Sequence, residues 1–396
     1  MFFDSSPANF FRRFLKQSSS QFFTSIAIRA LAIGMVVIFE PVYLYLYFGK
    51  SLSLTILYFG VIHGIYGLFA VFGGKLMTRI GARKSMLFSH FFFFGYFIAL
   101  SLIQKSFLLV PLAMLLKGIG MTLFWPAFHV DFSRLSGGQY QGREVGKMNV
   151  ALILPTIISP VLGGVILSAG GYPALFSAVL VVLFASSIPM FLSKESHIVY
   201  SDSYRKAWAR IFKKENRKFS LAISADACES VVNAYLWPLF MFILAISYAA
   251  MGGITTFGLI ATALFTLYMG RMSDTIINRV WFLNIGSVLS FMAWLIRYFV
   301  KTPFDAFLAA TLYQVCRTSA GVPFQTFYYK KVSLAGENSD EFIVYSEVLN
   351  NIARFFFMLI LAGIFLFTSQ LNISFLIAGV LSLGLMFLGL PPKFKW

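Results

Sequence analysis

The protein has 396 residues, of which 59% are hydrophobic, 18% aromatic and only 12% charged. A soluble fold could not bury so much apolar surface, so the composition excludes a soluble globular protein and predicts that lipid covers much of the chain. The formal net charge of +17 would suit a nucleic-acid binder, but the Lys and Arg residues lie between hydrophobic runs and not on one solvated face, so we expect no nucleic-acid partner.

Residues 1–21 precede the first long hydrophobic run. Their apolar core is too short for a signal peptide and lacks a small-residue cleavage site, so we expect an interfacial amphipathic segment. A bilayer core about 30 Å thick needs roughly 20 apolar residues in each helix. Twelve such runs follow, numbered here as spans 1 to 12 in chain order: 22–48, 54–77, 85–104, 107–131, 146–168, 172–193, 219–246, 250–272, 277–300, 303–328, 341–367 and 371–391.

The basic residues of the connections fall mainly on one side of the predicted membrane. Most of the 32 Lys and Arg residues lie before span 1, after the even-numbered spans and at the end of the chain. The opposite side has only Lys50, Lys105 and Lys301 in its connections. Because Lys and Arg favour the cytoplasmic side, we predict a multi-pass protein of the plasma (inner) membrane with both termini in the cytoplasm.

One long polar segment separates six spans from six. It predicts an N-terminal bundle over 22–193, a basic cytoplasmic linker over 194–218, a C-terminal bundle over 219–391 and a cytoplasmic tail over 392–396. The predicted fold is an all-α integral membrane protein with twelve transmembrane helices in two pseudo-symmetric six-helix bundles. An offset of about 197 positions supports this duplication, because it relates Pro41 to Pro238, Gly74 to Gly270, Lys117 and Pro126 approximately to Arg317 and Pro323, and Glu144 to Glu341.

The connection between spans 2 and 3 reads GKLMTRIGARK. Four of its residues match the Gly-x-Leu-x-Asp-Arg-x-Gly-Arg-Lys motif of the major facilitator superfamily: Gly74, Leu76, Arg79 and Gly81. Thr78 replaces the Asp, and the basic pair is shifted. The corresponding connection of the second half, GRMSDTIINR, keeps Gly270 and Asp274. The chain therefore resembles this superfamily over nearly its whole length, which implies the family's fold and alternating access.

This motif has a physical interpretation of its own. Gly74 and Gly81 permit a tight turn close to a neighbouring helix. Arg79 and Arg83 can pair with Asp131 at the end of span 4, so we predict a cytoplasmic gate that also includes the second-half residues Gly270 and Asp274. In the family, this loop holds the outward-facing state. The alternative is that the basic residues only anchor the loop at the membrane surface.

Span 5 contains a proline followed by a pair of glycines. Ser159, Pro160, Gly163 and Gly164 resemble the family's Gly-Pro-x-x-Gly-Gly element, which is associated with exporters. A proline kinks a helix and a glycine pair allows close helix contact, so helix packing alone is the alternative. In span 4, Met114 stands where the family has its usual Arg.

Charged residues inside the spans are costly, so each is a candidate for function. By resemblance, six of them lie on helices that line a central cavity: Arg29, Glu40, Lys117, Asp226, Glu229 and Arg317. Trp125 and Trp237 could stack on an organic substrate there. Alternatively, Arg29 with Asp226 and Lys117 with Glu229 are structural ion pairs. Arg297 lies near the outer end of span 9, where its side chain can snorkel to the interface.

These features favour secondary transport of a small organic solute, coupled to protons through Glu229, with efflux as the preferred direction. The alternatives are uptake of an organic anion or sugar-like solute, and a transporter-like scaffold or lipid-handling protein. The sequence has no motif for nucleotide binding, metal-dependent hydrolysis or nucleophilic catalysis. Its two cysteines and four histidines are scattered. We therefore expect no enzyme activity, metal or cofactor, and a monomer in the bilayer.

Overall fold

The computed structural model describes residues 18–135, 141–195, 200–213, 216–273 and 279–389, and no β-strand occurs within these ranges. In the first half, helices Ser18–Val36 and Glu40–Tyr47 form span 1, Leu52–Ile80 span 2, Ala82–Leu102 span 3, Leu109–Leu135 span 4, and Gln141–Leu192 spans 5 and 6. In the second half, Arg217–Val231, Val232–Leu236 and Trp237–Ile243 form span 7, Tyr248–Ser273 span 8, Arg279–Tyr298 span 9, Pro303–Leu334 span 10, Ser339–Phe367 span 11, and Ile373–Ser382 with Leu383–Gly389 span 12. A short helix, Tyr204–Ala209, lies between the halves. The predicted all-α fold is confirmed.

Within the described residues, eight helical segments are long and apolar enough to cross a membrane. One of them, Ile153–Leu192, contains both span 5 and span 6, which part at Gly171, where the backbone has φ of 67°. Spans 7, 10 and 12 are not among the eight segments. Spans 7 and 10 contain the charged residues Asp226, Glu229 and Arg317, and span 12 has only a short apolar helix. Spans 7 and 10, which are not among the eight segments, thus contain three of the six charged candidates for function.

Spans 1 and 7 are both discontinuous, at equivalent places in the two halves. The first helix of span 1 ends at Val36 and a second begins at Glu40. In span 7, a π-helical turn over Val232–Leu236 interrupts the α-helix. The related prolines Pro41 and Pro238 lie at the start of the helices that follow these interruptions. Proline removes a backbone donor and clashes with the preceding turn, which explains the breaks.

Glycines allow the two halves to approach closely along two helix pairs. On span 2, Cβ atoms added at Gly60, Gly64 and Gly67 would lie within 3.2 Å of side chains of span 11. Between spans 5 and 8, a Cβ at Gly164 would lie 2.5 Å from the Tyr248 carbonyl oxygen, and one at Gly252 would lie 2.4 Å from that of Pro160. Small residues at such contacts permit close helix packing in a membrane. These pairs hold spans 2 and 5 of the first half against spans 11 and 8 of the second.

The segment 200–213 packs on one end of the spans, here called the linker side; the opposite end is the far side. Ser201 donates hydrogen bonds from its backbone nitrogen and its hydroxyl to Glu341 Oε1, at 2.9 and 2.8 Å. Asp202 is ion-paired with Lys206 and Arg210, at 2.8 and 2.7 Å. Burial raises the pKa of the Asp202 carboxyl, but the two cations outweigh this effect and hold the pKa below its ordinary value. The stability from these ion pairs is therefore present at neutral pH and is lost on acidification.

Candidate functional site

A buried carboxylate in the first half, Glu40, is held by a cation and a phenol. Lys117 of span 4 forms an ion pair with Glu40, and the Tyr96 hydroxyl of span 3 donates a hydrogen bond to the same carboxylate oxygen. The side chains of Lys117 and Glu40 are 12% and 5% exposed. The predicted pairing of Lys117 with Glu229 is wrong, because the two residues have different partners in their own halves of the protein.

The second half holds two carboxylates beside one guanidinium. Glu229 Oε1 accepts hydrogen bonds from Trp294 Nε1 at 2.7 Å and from the Tyr313 hydroxyl at 2.5 Å. Arg317 Nε lies 3.3 Å from Glu229 Oε2, and the same guanidinium pairs with Asp226. With both carboxylates ionised, this cluster carries one excess negative charge, which a single bound proton would neutralise.

The two carboxylate sites repeat one plan in the two halves. Glu40 and Glu229 each lie on the first span of their half. Each accepts a hydrogen bond from an aromatic residue of the third span, Tyr96 or Trp294, and contacts a cation of the fourth span. The cation is Lys117 in one half and Arg317 in the other. Only the second half adds another carboxylate, Asp226, to this arrangement.

Arg29 does not pair with Asp226, so that predicted ion pair is also wrong. Its guanidinium carbon lies 3.4 Å from the ring centroid of Phe124 and 4.8 Å from that of Phe93. The residue is 6% exposed, and its Nε has no hydrogen-bond partner among the described residues. Arg29 is therefore stabilised by aromatic faces within the first half.

A cavity of about 260 Å³ lies between the two halves, at the discontinuous parts of spans 1 and 7. Its polar lining residues are Thr156, Ser159, Asn233, Thr255, Arg297 and Gln314, and most of the remaining lining is apolar. Trp237 and Pro160 also line this cavity. The cavity lining does not include Arg29, Glu40, Lys117, Trp125, Asp226, Glu229 or Arg317, which corrects their predicted position.

Arg297 is the charged residue of the cavity lining, and the prediction that it snorkels to the interface is wrong. The residue is 1% exposed. Its guanidinium carbon lies 3.8 Å from the ring centroid of Tyr313, 4.0 Å from that of Trp237 and 4.6 Å from that of Trp294. Rings of three spans therefore enclose this side chain.

Contacts between the halves close the protein at both ends. On the linker side, His129 of span 4 lies 3.4 Å from the Tyr329 hydroxyl and 3.5 Å from Glu347 Oε1. The ring of Trp125 stacks on His129, which places Trp125 at this closure. On the far side, the rings of Phe39 and Tyr248 meet edge to face, with centroids 6.1 Å apart. Side chains of the two halves therefore meet on both sides of the cavity.

The predicted gate is an ion pair within the first half that also contacts the segment after span 6. Arg83 Nε lies 3.0 Å from Asp131 Oδ2, and Arg83 Nη1 donates a hydrogen bond to the Lys194 carbonyl at 2.6 Å. Gly81 has φ of 95°, and a Cβ there would lie 2.1 Å from the Glu195 carboxyl carbon, so glycine is required at this turn. Glu195 in turn accepts hydrogen bonds from the first backbone N–H groups of span 3.

The other predicted gate residues lie away from the Arg83–Asp131 ion pair or outside the described residues. Arg79 is exposed and forms no ion pair among the described residues, so its predicted pairing with Asp131 is wrong. Gly74 faces Val344 of span 11 at the contact between the halves. Gly270 lies in span 8, where nothing is described beyond the helix itself, and Asp274 lies outside the described residues. In span 5, a Cβ at Gly163 would lie 1.9 Å from the Met35 carbonyl oxygen.

Two polar residues of the cavity, Asn233 and Gln314, were missed by the sequence prediction. Gln314 is the second-half equivalent of Lys117 at the repeat offset of about 197 positions, so the repeat could have identified Gln314 as a candidate. Asn233 lies in the π-helical turn of span 7. Such turns are frequent at functional sites, but the sequence alone does not indicate this turn.

The sequence profile described as Major Facilitator Superfamily matches residues 22–225, about half of the chain. No curated protein is similar enough in sequence to match it. The fold is similar to that of a variant of the nucleoside transporter NupG, with a TM-score of 0.67, 14% identity and coverage of 94% of this chain and 99% of that one. The human organic anion transporter TETRAN gives a TM-score of 0.67 at 14% identity, with coverage of 95% of this chain and 99% of that one. The E. coli fucose:proton symporter FucP gives a TM-score of 0.63 at 14% identity, with coverage of 94% of this chain and 97% of that one.

Proposed function

The chain belongs to the Major Facilitator Superfamily, a family of transporters, and on this basis we propose that it moves a small organic solute across the membrane by alternating access. Transport is secondary, driven by an ion gradient, and the protein has no enzymatic activity. It works as a monomer in the plasma (inner) membrane, with the linker side and both termini in the cytoplasm. The boundaries 22–193 and 219–391 remain our proposal for the two moving bodies.

The cavity between the halves is the observation that carries this proposal. It combines apolar walls with a few hydrogen-bonding groups, which is typical of sites for small organic molecules. It lies at the breaks of spans 1 and 7 and between closures on both sides. Transporters of this architecture bind substrate near the middle of the bilayer, at discontinuous helices between the repeats. A rocking motion of the halves would open either closure in turn.

The coupling ion in this proposal is a proton, and its binding site is the cluster of Asp226, Glu229 and Arg317. The single excess negative charge of the cluster supports one proton per cycle. Span 7 supplies Asp226 and Glu229 and also, through Asn233 and Trp237, part of the cavity wall. Protonation can therefore act on the helix that contacts the solute.

The direction of transport is tested separately from coupling. Efflux was predicted from Pro160, Gly163 and Gly164, but these residues pack closely against Met35, Tyr248 and Gly252. Helix packing accounts for them without any direction. Since FucP is a proton symporter, uptake is the alternative that the flux measurement must distinguish from efflux.

The test is transport by the purified protein in proteoliposomes with an imposed pH gradient. A panel of radiolabelled sugars, nucleosides, monocarboxylates and organic cations is followed in both gradient directions. We expect gradient-dependent accumulation of at least one solute, lost on addition of a protonophore, together with counterflow in the absence of a gradient. Folded, reconstituted protein that moves no solute in either assay would overturn the proposal and favour the scaffold alternative.

The gate gives a separate prediction. Asp131→Asn removes the carboxylate that pairs with the buried Arg83. We expect the initial transport rate to fall roughly tenfold, equivalent to a change of about 1.4 kcal/mol in the free-energy difference between the transport states. Rates are compared at equal amounts of folded protein in proteoliposomes. Arg79→Gln removes an exposed charge of the same loop and should leave the rate unchanged. Unchanged kinetics in Asp131→Asn would show that the ion pair is only an anchor.

A further inference from the structure

We propose that Arg297 binds the anionic group of the transported solute, and that this solute is a small organic monoanion with an apolar body. The inference rests on the proposed transport function and names the substrate class of the same cavity.

Arg297 is a buried cation without an ionic partner in the described part of the chain. Its Nη1 donates a hydrogen bond to Asn233 Oδ1 at 2.9 Å, and its Nε has no hydrogen-bond partner there. No described carboxylate lies within ion-pair distance of it, whereas Lys117, Arg317 and Arg83 are paired. Arg29 and Arg354 also have no ion pair among the described residues, but neither lines the cavity. A buried charge without a counter-ion costs several kcal/mol. An anion entering the cavity would remove this cost.

None of the side chains named here in contact with Arg297 carries a counter-charge, and Glu229 attracts it only from beyond Trp294 and Tyr313. Trp237, Trp294 and Tyr313 contribute ring faces, which attract a guanidinium but bring no counter-charge. Glu229, the nearby carboxylate of the cluster, already accepts hydrogen bonds from Trp294 and Tyr313. A planar guanidinium donates two parallel hydrogen bonds to a carboxylate. Arg297, whose Nε has no hydrogen-bond partner among the described residues, therefore retains the capacity to form such a pair.

The rest of the lining limits the charge and character of the solute. Arg297 is the one charged residue among the lining residues, so the cavity offers a site for a single negative charge and none for an additional cationic or anionic group. Val37, Ile38, Met241 and Leu259 provide apolar wall. Gln314 and Asn233 offer amides to further polar atoms of the solute. A volume of about 260 Å³ restricts the site to small molecules.

Arg297 and Arg29 differ in their access to the cavity, and this difference distinguishes a binding role from a structural one. Both residues are buried and lie over aromatic rings. Arg29 is not among the residues that line the cavity, whereas Arg297 is. Access to the cavity is what turns an unpaired buried cation into a binding group.

The test is equilibrium binding to the purified protein in detergent, followed by the fluorescence of its tryptophans, two of which flank Arg297. The probes are acetate, hexanoate, benzoate and indole-3-acetate, each compared with its neutral amide. We expect at least one carboxylate to bind about tenfold or more tightly than its amide, which corresponds to 1.4 kcal/mol or more. Arg297→Gln should abolish this preference, and Lys301→Gln, which removes an exposed charge beyond span 9, should retain it.

A second variant keeps the test decisive if Arg297→Gln does not fold. Asn233→Asp is nearly isosteric and places a carboxylate at the position that now accepts the hydrogen bond from Arg297. We expect this variant to be folded and to lose the binding of carboxylates, because the protein supplies its own counter-ion. Carboxylate preference that survives Asn233→Asp, or a wild-type protein without any such preference, would overturn the inference.

The outcomes for transport and for substrate class are separable. Proteoliposomes that accumulate a neutral solute equally well with Arg297→Gln would overturn the anion site and leave the proposed function intact. Carboxylate binding that depends on Arg297, in a protein that moves no solute, would support the anion site and overturn the proposed transport function.

Discussion

Replacing Lys117 by Met is expected to lower the free energy of unfolding by about 3–5 kcal/mol, the usual cost of breaking a buried ion pair by removing one partner. The substitution keeps the length and apolar stem of the side chain but removes the counter-ion of Glu40, which is 4% exposed. Tyr96 would still donate a hydrogen bond, but a phenol does not neutralise the charge. Unfolding of the purified protein in mixed micelles with increasing SDS measures the loss.

The double variant Lys117→Met/Glu40→Gln is the matched control. It removes both charges, so no unpaired ion remains, and neutral replacements of buried pairs are often tolerated. We expect its stability to lie close to that of the wild type. If the single variant is as stable as the wild type, or the double variant is no more stable than the single one, then Glu40 and Lys117 are not the coupled buried pair described here.

Glu229→Gln is expected to abolish accumulation driven by a pH gradient while leaving counterflow intact. The substitution leaves Asp226 and Arg317 as a charge-balanced pair, so the cluster no longer has an excess negative charge for a proton to neutralise. With one coupled proton and no net charge movement, a gradient of one pH unit sustains roughly tenfold accumulation. In the variant, this ratio should fall to about one. Solute ratios in proteoliposomes, using the best substrate of the panel, provide the measurement.

Glu229 lies among charged and titratable side chains of spans 7, 9, 10 and 11, so the control variant must remove a carboxylate that lies elsewhere. Asp226 lies on its own span, Tyr313 and Arg317 on span 10, and Arg297 on span 9. Arg354 of span 11 donates hydrogen bonds to the Ala227 carbonyl and the Ser230 hydroxyl, at 3.3 and 3.2 Å. The control is Asp305→Asn, which removes a carboxylate that caps the far-side end of span 10 and should preserve coupling. Accumulation that persists in Glu229→Gln would move the proton to another residue.

Hydrophobic patterning predicted the number and order of the spans but not their ends or interruptions. Span 10 was expected to end at 328 and continues to Leu334. Helices can extend beyond the bilayer, and hydropathy does not detect polar turns that continue them. The breaks in spans 1 and 7 come directly before the repeated prolines Pro41 and Pro238, which marked where they occur.

The ionic partners could not be predicted from the sequence. Helical periodicity shows which residues share a face of one helix, but not which face meets which neighbour. The alternative considered for Lys117 was therefore a pair with Glu229 on another helix at similar depth, whereas Lys117 pairs with Glu40 in its own half. Arg297 was misjudged because depth along a span was the only guide, and the three aromatic rings that enclose it come from spans 7, 9 and 10.

The central claim is that the two halves separate around the cavity during transport, and a reversible cross-link between them tests it most directly. A Cβ at Gly60 would lie 3.2 Å from Met358 Cβ across spans 2 and 11. Within the first half, a Cβ at Gly120 would lie 3.3 Å from Phe92 Cβ across spans 4 and 3. Both separations are close to the roughly 3.8 Å that a disulfide requires. The two cysteine pairs are introduced after replacing Cys228 and Cys316 by Ala.

Counterflow of the best solute is then measured before oxidation, after oxidation and after reduction. The account predicts that oxidation of Gly60→Cys/Met358→Cys stops transport and that reduction restores it, while oxidation of Gly120→Cys/Phe92→Cys has no effect. Transport that continues with spans 2 and 11 covalently joined would contradict alternating access by these two halves.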